Sequence, residues 1–147
     1  MSKVSAEIEI PAKPQRVIDA FLRHLDIQGW WGISHSLVEP KAGGVWLLAW
    51  GRGAFQYVAS ARIGALKKGK LLRHDQYCYL NPEVGIFGPM TLTVEAKPKK
   101  GGGTVVRVTQ GPYGSGPRWK WYYEATRSAW PQVLCGLAGY LQRAGKK

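Results

Sequence analysis

The C-terminal stretch 118–143 constrains the fold more than any other part of the chain. Its apolar and aromatic side chains recur at steps of three or four, which places them on one face of a helix. They are Trp119, Tyr123, Thr126, Trp130, Leu134, Leu137 and Leu141. At 1.5 Å per residue the helix is roughly 37 Å long, so its apolar face needs an extended cover. Pro131 interrupts the pattern, and Ser128 could cap a new helical segment there. We therefore expect a kink or a break over 127–131.

The preceding residues predict a sheet that supplies this cover. Residues 4–10 alternate between apolar and polar side chains, as a half-buried strand does. A short helix from Lys13 to Leu25 follows, and then a helical turn over 27–31 that Asp26 could cap. Further strands are predicted over 33–40, 45–51, 55–63, 71–80, 90–97 and 104–110. Short turns, including 41–44 and Arg52-Gly53, separate most of them, so neighbouring strands should pair.

The predicted fold class is therefore α+β. A seven-stranded curved antiparallel sheet should carry two short helices after its first strand and pack its concave face on the long C-terminal helix. We expect residues 1–147 to form a single domain, either a monomer or a weak dimer.

Composition limits the compartment. The longest apolar run, 45–50, is far shorter than the ~20 residues that a transmembrane helix needs. The N-terminus lacks the apolar core of a signal peptide. Cys78 and Cys135 are expected to be buried free thiols, which suits a reducing compartment. We therefore expect a cytoplasmic protein with no membrane insertion.

The net charge of +12 is the unusual total of this sequence. Such a charge raises the possibility of nucleic acid, anionic lipid or acidic ligands, and it also favours solubility. The basic residues cluster over 67–73 and 97–100, at the ends of predicted hairpins. Nucleic-acid binding combines a basic stripe with exposed stacking aromatics. Because the aromatics here fall mostly at inward positions, we do not expect nucleic acid as a partner.

Polar candidates for chemistry are few. The histidines His24, His35 and His74 share no spacing that would hold a metal ion, so we expect no metal and no cofactor. On strand 71–80, alternation places His74 and Gln76 on one face. They are the polar side chains expected to line a pocket if that face points inward. A hydrogen-bonded structural histidine is the alternative, and no activating partner for acid–base catalysis is visible.

The aromatic residues favour an internal cavity more strongly. The candidate ligand-binding residues are Trp46, Trp50, Tyr57, His74, Gln76, Phe87, Met90, Trp119, Tyr123 and Trp130. Pockets of this kind are mostly apolar with a few placed polar groups. Ile86 and Phe87, on a predicted loop over 81–89, could form a gate. Plain core packing is the alternative explanation for most of these aromatics. We expect the ligand to contact the helix over 119–126 and the half from Trp130 onward to be core.

Four segments carry a family resemblance. IPAKPQRVIDAFL, EPKAGGVW, GTVVRVTQG and WPQVLCGLAGYLQ occur in this order over nearly the whole chain. Together they resemble the activator of Hsp90 ATPase homologue 1-like family of the SRPBCC superfamily, also called the START or Bet v 1-like superfamily. The resemblance implies the helix-grip fold, in which a curved antiparallel sheet grips a long helix.

Several functions remain open at this point. The main hypothesis is a non-enzymatic domain that binds a small hydrophobic or aromatic molecule, such as a lipid or a polyketide, between sheet and helix. The family name implies a co-chaperone-like module with an Hsp90-type partner as an alternative. The superfamily also implies a cyclase or hydrolase in the same cavity, or sequestration of a reactive natural product.

Overall fold

A seven-stranded antiparallel sheet and one long helix make up most of the structure. This computed structural model describes residues 2–51 and 56–145. In chain order the elements are β1 (Val4–Ile10), α1 (Pro14–Ala20), α2 (His24–Trp31), β2 (His35–Val38), β3 (Val45–Trp50), β4 (Tyr57–Lys67), β5 (Leu71–Asn81), β6 (Gly85–Pro98), β7 (Thr104–Gly111) and α3 (Pro117–Ala144). The predicted helix-grip architecture is confirmed. The predicted turn at Arg52-Gly53 lies outside the described residues.

The strand order is β1-β7-β6-β5-β4-β3-β2. Strands β2 to β7 form an uninterrupted meander, because each is joined to the next by a connection too short to cross the sheet. Strand β1 closes the sheet by pairing with β7, and Val4 lies opposite Gln110. The core lies between the concave face of this sheet and the three helices, where β6, β7 and α3 contribute fully buried side chains such as Leu92, Val106 and Leu134.

Helix α3 is continuous over Pro117–Ala144, so of the predicted kink or break at 127–131 the break does not occur. Pro131 lies inside the helix and removes one backbone hydrogen bond to the carbonyl of Arg127. Both residues are on the exposed side of the helix, where water can satisfy that carbonyl. Trp130 and Leu134 are buried on the opposite side and hold the two halves against the sheet. Tertiary packing therefore outweighs the local cost of the proline.

Asp26 is an anchoring residue rather than a helix cap. Helix α2 begins two residues earlier than the predicted cap, at His24, with Arg23 as its N-cap. The Asp26 carboxylate accepts two hydrogen bonds from the Arg16 guanidinium, at 2.8 and 2.9 Å, and one from the Tyr140 hydroxyl at 2.6 Å. These donors, the guanidinium first, lower the pKa of Asp26 against the opposing effect of burial. The cluster ties α1 and α2 to the C-terminal half of α3.

Close packing accompanies this anchor. A Cβ at Gly29 would collide with the Tyr140 ring, so glycine permits the approach of α2 to α3. No helix among the described residues is both long and apolar enough to cross a membrane. The two cysteines are free, and Cys135 is exposed on α3 rather than buried as expected.

Candidate functional site

A β-bulge in β5 decides which side chains face the helix. Asp75 lies opposite Arg62 of β4, and Cys78 lies opposite Ser60. The two residues between them on β5, 76 and 77, therefore oppose the single residue Ala61 on β4. Gln76 adopts a positive φ of 53°, and its side chain is exposed. An extra residue of this kind reverses the alternation beyond it. Tyr77 and Tyr79 therefore point inward in place of the predicted Gln76.

These tyrosines line a cavity of about 490 Å³ between the sheet and the N-terminal half of α3. The cavity lies at the end of the sheet where β3 ends and β4 begins. Among the described residues its lining is Trp31, Trp50, Gly51, Tyr57, Tyr77, Tyr79, Gln110, Trp121, Tyr122, Ala125, Thr126, Ala129, Trp130 and Val133. Aromatic rings dominate it, and none of these side chains carries a formal charge at neutral pH. The small side chains of Ala125 and Ala129 on α3 leave the space open.

Gln110 is the polar centre of the cavity floor. Its side-chain amide donates to the Tyr122 hydroxyl at 3.0 Å, and its carbonyl oxygen accepts from the Trp130 indole at 2.7 Å. A longer contact of 3.6 Å joins the amide to the Met90 sulfur. Gln110 is 1% exposed, so these bonds satisfy a buried amide and connect β7 to α3 at two points. They hold two aromatic walls of the cavity in place without a ligand.

The tyrosine hydroxyls supply the remaining polarity. Burial, reinforced by neighbouring tyrosines, raises the pKa of Tyr77 well above its usual range. Burial likewise raises the pKa of Tyr79, so both side chains stay protonated at neutral pH. Neither hydroxyl makes a hydrogen bond to the rest of the described chain. Each is therefore an unused donor at the cavity wall.

Trp31 is the centre of an indole cluster beside the cavity. Its ring stacks on Trp30, with centroids 4.8 Å apart, and lies 5.6 Å from both Trp50 and Trp130. The Trp50 indole donates to the Trp31 carbonyl at 3.1 Å. This cluster fixes the end of α2 against β3 and α3. The side of the cavity formed by Trp31 and Trp50 is therefore held in place by contacts within the protein.

Three of the predicted site residues lie in this cavity: Trp50, Tyr57 and Trp130. Trp46 and His74 lie deeper, in the solid core, with their rings 4.2 Å apart. The Trp46 indole donates to the Phe21 carbonyl at 3.0 Å and so attaches β3 to the end of α1. Neither ring nitrogen of His74 has a hydrogen-bond partner in the described part of the chain. His74 is therefore a buried core side chain and does not line the cavity.

The predicted gate is also absent from the described structure. Strand β6 begins at Gly85, so Ile86 and Phe87 lie on a strand rather than on a loop over 81–89. Ile86 is 60% exposed, while Phe87 is fully buried and stacks on Tyr122 at 4.3 Å. The Arg118 guanidinium covers the other side of Phe87, 4.4 Å from its centroid.

The remaining predicted residues pack beside the cavity rather than line it. Trp119 contacts Phe87 edge-on at 5.3 Å, and Tyr123 contacts Tyr113 edge-on at 5.2 Å. Met90 is buried and reaches the cavity floor only through Gln110.

Sequence reasoning missed most of the cavity wall. Within the expected segment 119–126, the lining residues are Trp121, Tyr122, Ala125 and Thr126 rather than Trp119 and Tyr123. Outside that segment, the missed residues are Trp31, Gly51, Tyr77, Tyr79, Gln110, Ala129 and Val133. A signal existed for Gln110, because it follows Thr104, Val106 and Val108 at steps of two on β7. Another existed on α3, where Trp121, Ala125, Ala129 and Val133 recur at steps of four. The small side chains of Ala125 and Ala129 in this stripe indicate an open space between the helix and the sheet rather than a close-packed core.

Within the described residues, no group of three or more His, Cys, Asp or Glu side chains is placed to hold a metal ion. The ionisable groups that line the cavity are tyrosines. The arrangement can thus enclose an apolar molecule and donate hydrogen bonds to it.

Comparisons with known proteins agree with this architecture. Among solved structures, the protein MLL2253 from Mesorhizobium loti has a TM-score of 0.76 at 21% identity and covers 97% of this chain and 98% of its own. The Aha1 dimer from Colwellia psychrerythraea has a TM-score of 0.74 at 15% identity, with 94% of each chain covered. DynU16, a protein in the dynemicin biosynthetic locus, has a TM-score of 0.76 at 15% identity and covers 97% of this chain and 48% of its own.

At these identities the solved structures establish the fold alone. No curated protein matches the sequence of this chain. The family profile described as Activator of Hsp90 ATPase homolog 1-like protein matches residues 11–142. That match covers most of the chain, and the chain therefore belongs to the activator of Hsp90 ATPase homolog 1-like family.

Proposed function

We propose that this protein binds an uncharged, largely aromatic small molecule in the cavity between its sheet and α3. The observation that carries the proposal is a space of about 490 Å³ whose described lining is dominated by Trp and Tyr rings. A space of this volume matches ordinary small-molecule sites. Aromatic walls favour flat, apolar ligands, because rings stack face to face or edge to face at low entropic cost.

The free hydroxyls define the polar end of the ligand. Gln110 is already bonded to Tyr122 and Trp130, so it has little capacity for a ligand. Tyr77 and Tyr79 retain donors that no described residue accepts. Because both tyrosines stay protonated, they favour an acceptor such as a carbonyl or ether oxygen. The ligand class is thus a planar aromatic molecule with an oxygen acceptor at one edge.

Binding explains the cavity better than acid–base catalysis does. A general acid or base needs a pKa near the working pH, whereas burial moves the pKa of Tyr77 further from neutrality. The described lining contains no carboxylate or imidazole that could take this role. Storage or sequestration of an aromatic product therefore suits the site, and DynU16, with the same fold, lies in a biosynthetic locus.

A matched pair of ligands tests the proposal. 9-Fluorenone and fluorene have nearly the same shape, and only the ketone carries an acceptor. Isothermal titration calorimetry should show both binding, with fluorenone tighter by about three- to tenfold for one hydrogen bond. The double variant Tyr77→Phe with Tyr79→Phe should remove that preference while leaving fluorene affinity nearly unchanged.

A variant that fills the cavity provides the control. Ala129→Trp should abolish binding of both ligands, because Ala129 lines the space. Ser128→Trp, one residue away on the exposed side of α3, should leave binding unchanged. If neither ligand binds, or if both tryptophan variants behave alike, the cavity is not the site. If fluorene binds as tightly as fluorenone, the aromatic site stands and the acceptor is wrong.

A further inference from the structure

Three connections lie side by side at the end of the sheet that is far from the cavity: the β4–β5 turn, the β6–β7 turn and the β1–α1 connection. The β4–β5 turn is bonded to β6, since the Ala96 amide donates to the Lys70 carbonyl at 2.9 Å. The β6–β7 turn meets the β1–α1 connection, since the Thr104 hydroxyl donates to the Ala12 carbonyl at 2.6 Å. Strand β4 runs from Tyr57 at the cavity to Lys67 at this opposite end.

These connections carry a dense group of exposed lysines, which we call the lysine end. It consists of Lys13, Lys67, Lys68, Lys70, Lys97, Lys99 and Lys100. In the described chain only Lys99 of this group has a carboxylate partner, Glu9 at 2.7 Å. The other nearby acid, Glu95, lies opposite Arg107 on the neighbouring strand. Seven lysines thus face two carboxylates, and the excess supplies much of the net charge of +12.

Three side chains of the lysine end lie close together on the surface. Lys67, Lys70 and Lys97 surround a surface depression of about 350 Å³ that Glu95 also lines. Exposed like charges so close together repel one another, which costs stability unless an anionic partner neutralises them. The lysines come from three separate connections, so the sequence alone could not show that they cluster. Their clustering indicates a binding surface for an anionic partner.

We propose that the lysine end docks this protein on the surface of an anionic lipid bilayer. Clusters of four to eight basic residues bind acidic phospholipid headgroups, at about 1 kcal/mol per residue near the surface. Three connections that end together place these charges at one end of the molecule, where all of them can face a bilayer. Because the cavity lies at the other end of β4, a docked molecule keeps its cavity directed away from the membrane.

Nucleic acid fits this surface less well. Single strands need aromatic side chains on which bases stack, and the segments 11–15, 67–72 and 95–104 contain no Phe, Tyr or Trp. Nucleic-acid recognition favours the planar, forked guanidinium of arginine over the point charge of lysine, and these three segments contain no Arg. Lysine ammonium groups without neighbouring aromatic or guanidinium groups are better suited to the many anionic headgroups of a lipid bilayer.

Vesicle co-sedimentation tests the proposal without reference to the cavity. The full chain should sediment with phosphatidylcholine vesicles that contain phosphatidylserine, should not sediment with phosphatidylcholine alone, and should be released by added salt. Replacing Lys67, Lys70 and Lys97 with Gln should weaken binding at least tenfold. A control with Lys3, Lys120 and Arg143 replaced by Gln has the same net charge and should bind nearly as well as the parent.

Three results would overturn the proposal. The first is no sedimentation with anionic vesicles at physiological salt. The second is equal loss of binding in the two triple variants, which would indicate attraction by net charge alone. The third is tighter binding to a short duplex or single-stranded oligonucleotide than to the vesicles, lost in the same Lys67, Lys70 and Lys97 variant. That result would assign the surface to nucleic acid.

Discussion

His74 is an unusual residue in this core. It is fully buried beneath Trp46, and neither ring nitrogen is hydrogen-bonded to a described residue. Burial lowers the pKa of His74 to about 3, although the backbone of Leu92 and the charge of Asp75 oppose the shift. The folded protein therefore holds this imidazole neutral where the unfolded chain would protonate it.

This linkage predicts an acid-sensitive core. Because the folded pKa lies below the ordinary value of 6.5, the stabilising effect is complete above that value and is lost as pH falls toward 3. Between pH 7 and pH 5, the free energy of unfolding should fall by about 2 kcal/mol through this group. His74→Leu should remove that part of the pH dependence, as measured by urea denaturation at both values. Equal slopes in parent and variant would contradict the assignment.

The sequence indicates the inward face of a residue where that face follows from the alternation or helical period of its neighbours. Trp50, Tyr57 and Trp130 were predicted as cavity candidates and do line the cavity. Gln76 failed because a bulge reverses the alternation, and a non-glycine residue at positive φ gives no warning in the sequence. Tyr122 was missed because adjacent tyrosines offer two equally good helical faces, and only the sheet decides between them.

At the scale of the element, α3 shows that packing can override a local rule. A proline inside a helix costs about 3 kcal/mol relative to alanine, yet the helix continues through Pro131. The sequence could indicate the cost but not the strength of the flanking contacts. Trp130 is held by both burial and its bond to Gln110, which fixes the helix at the residue before the proline.

Replacing this proline tests the continuity of α3. Pro131→Ala should restore a donor for the Arg127 carbonyl and raise the free energy of unfolding by about 1–3 kcal/mol, less than the full helix cost because proline also restricts the unfolded chain. If a new helix began near Ser128, Pro131 would lie in its favoured first turn and the change would be neutral or destabilising. Chemical denaturation with unchanged helical circular dichroism distinguishes the two outcomes.

At the scale of the whole molecule, the fold was predictable because each level of the sequence agrees with it. Short turns force neighbouring strands to pair, and one long amphipathic helix needs a sheet of matching length. The cavity was less predictable, because it depends on a bulge, on two alanines and on a glutamine that bridges sheet and helix. Such features act between elements, whereas sequence patterns report chiefly on one element at a time.

The charge of the whole molecule yields a further prediction. With cations concentrated at the lysine end, self-repulsion should outweigh the few surface ion pairs, so added salt should stabilise the fold. Raising sodium chloride from about 20 mM to about 300 mM should raise Tm by about 2–5 °C. Replacing Lys67, Lys70 and Lys97 with Gln should raise Tm at low salt and reduce the salt response. A Tm that falls with salt would show that attractive pairs dominate.

The tryptophans around the cavity should make the intrinsic fluorescence of this protein sensitive to ligand binding. Four tryptophans, Trp31, Trp50, Trp121 and Trp130, line the space, and the Trp31 ring lies 5.6 Å from the rings of both Trp50 and Trp130. Excitation energy absorbed by one ring can pass among neighbours at such separations, so an occupant that contacts any of them should change the emission of the group. The ultraviolet emission of the purified protein therefore reports occupancy without a label, and purified fractions of an extract could be screened for the natural ligand by titration.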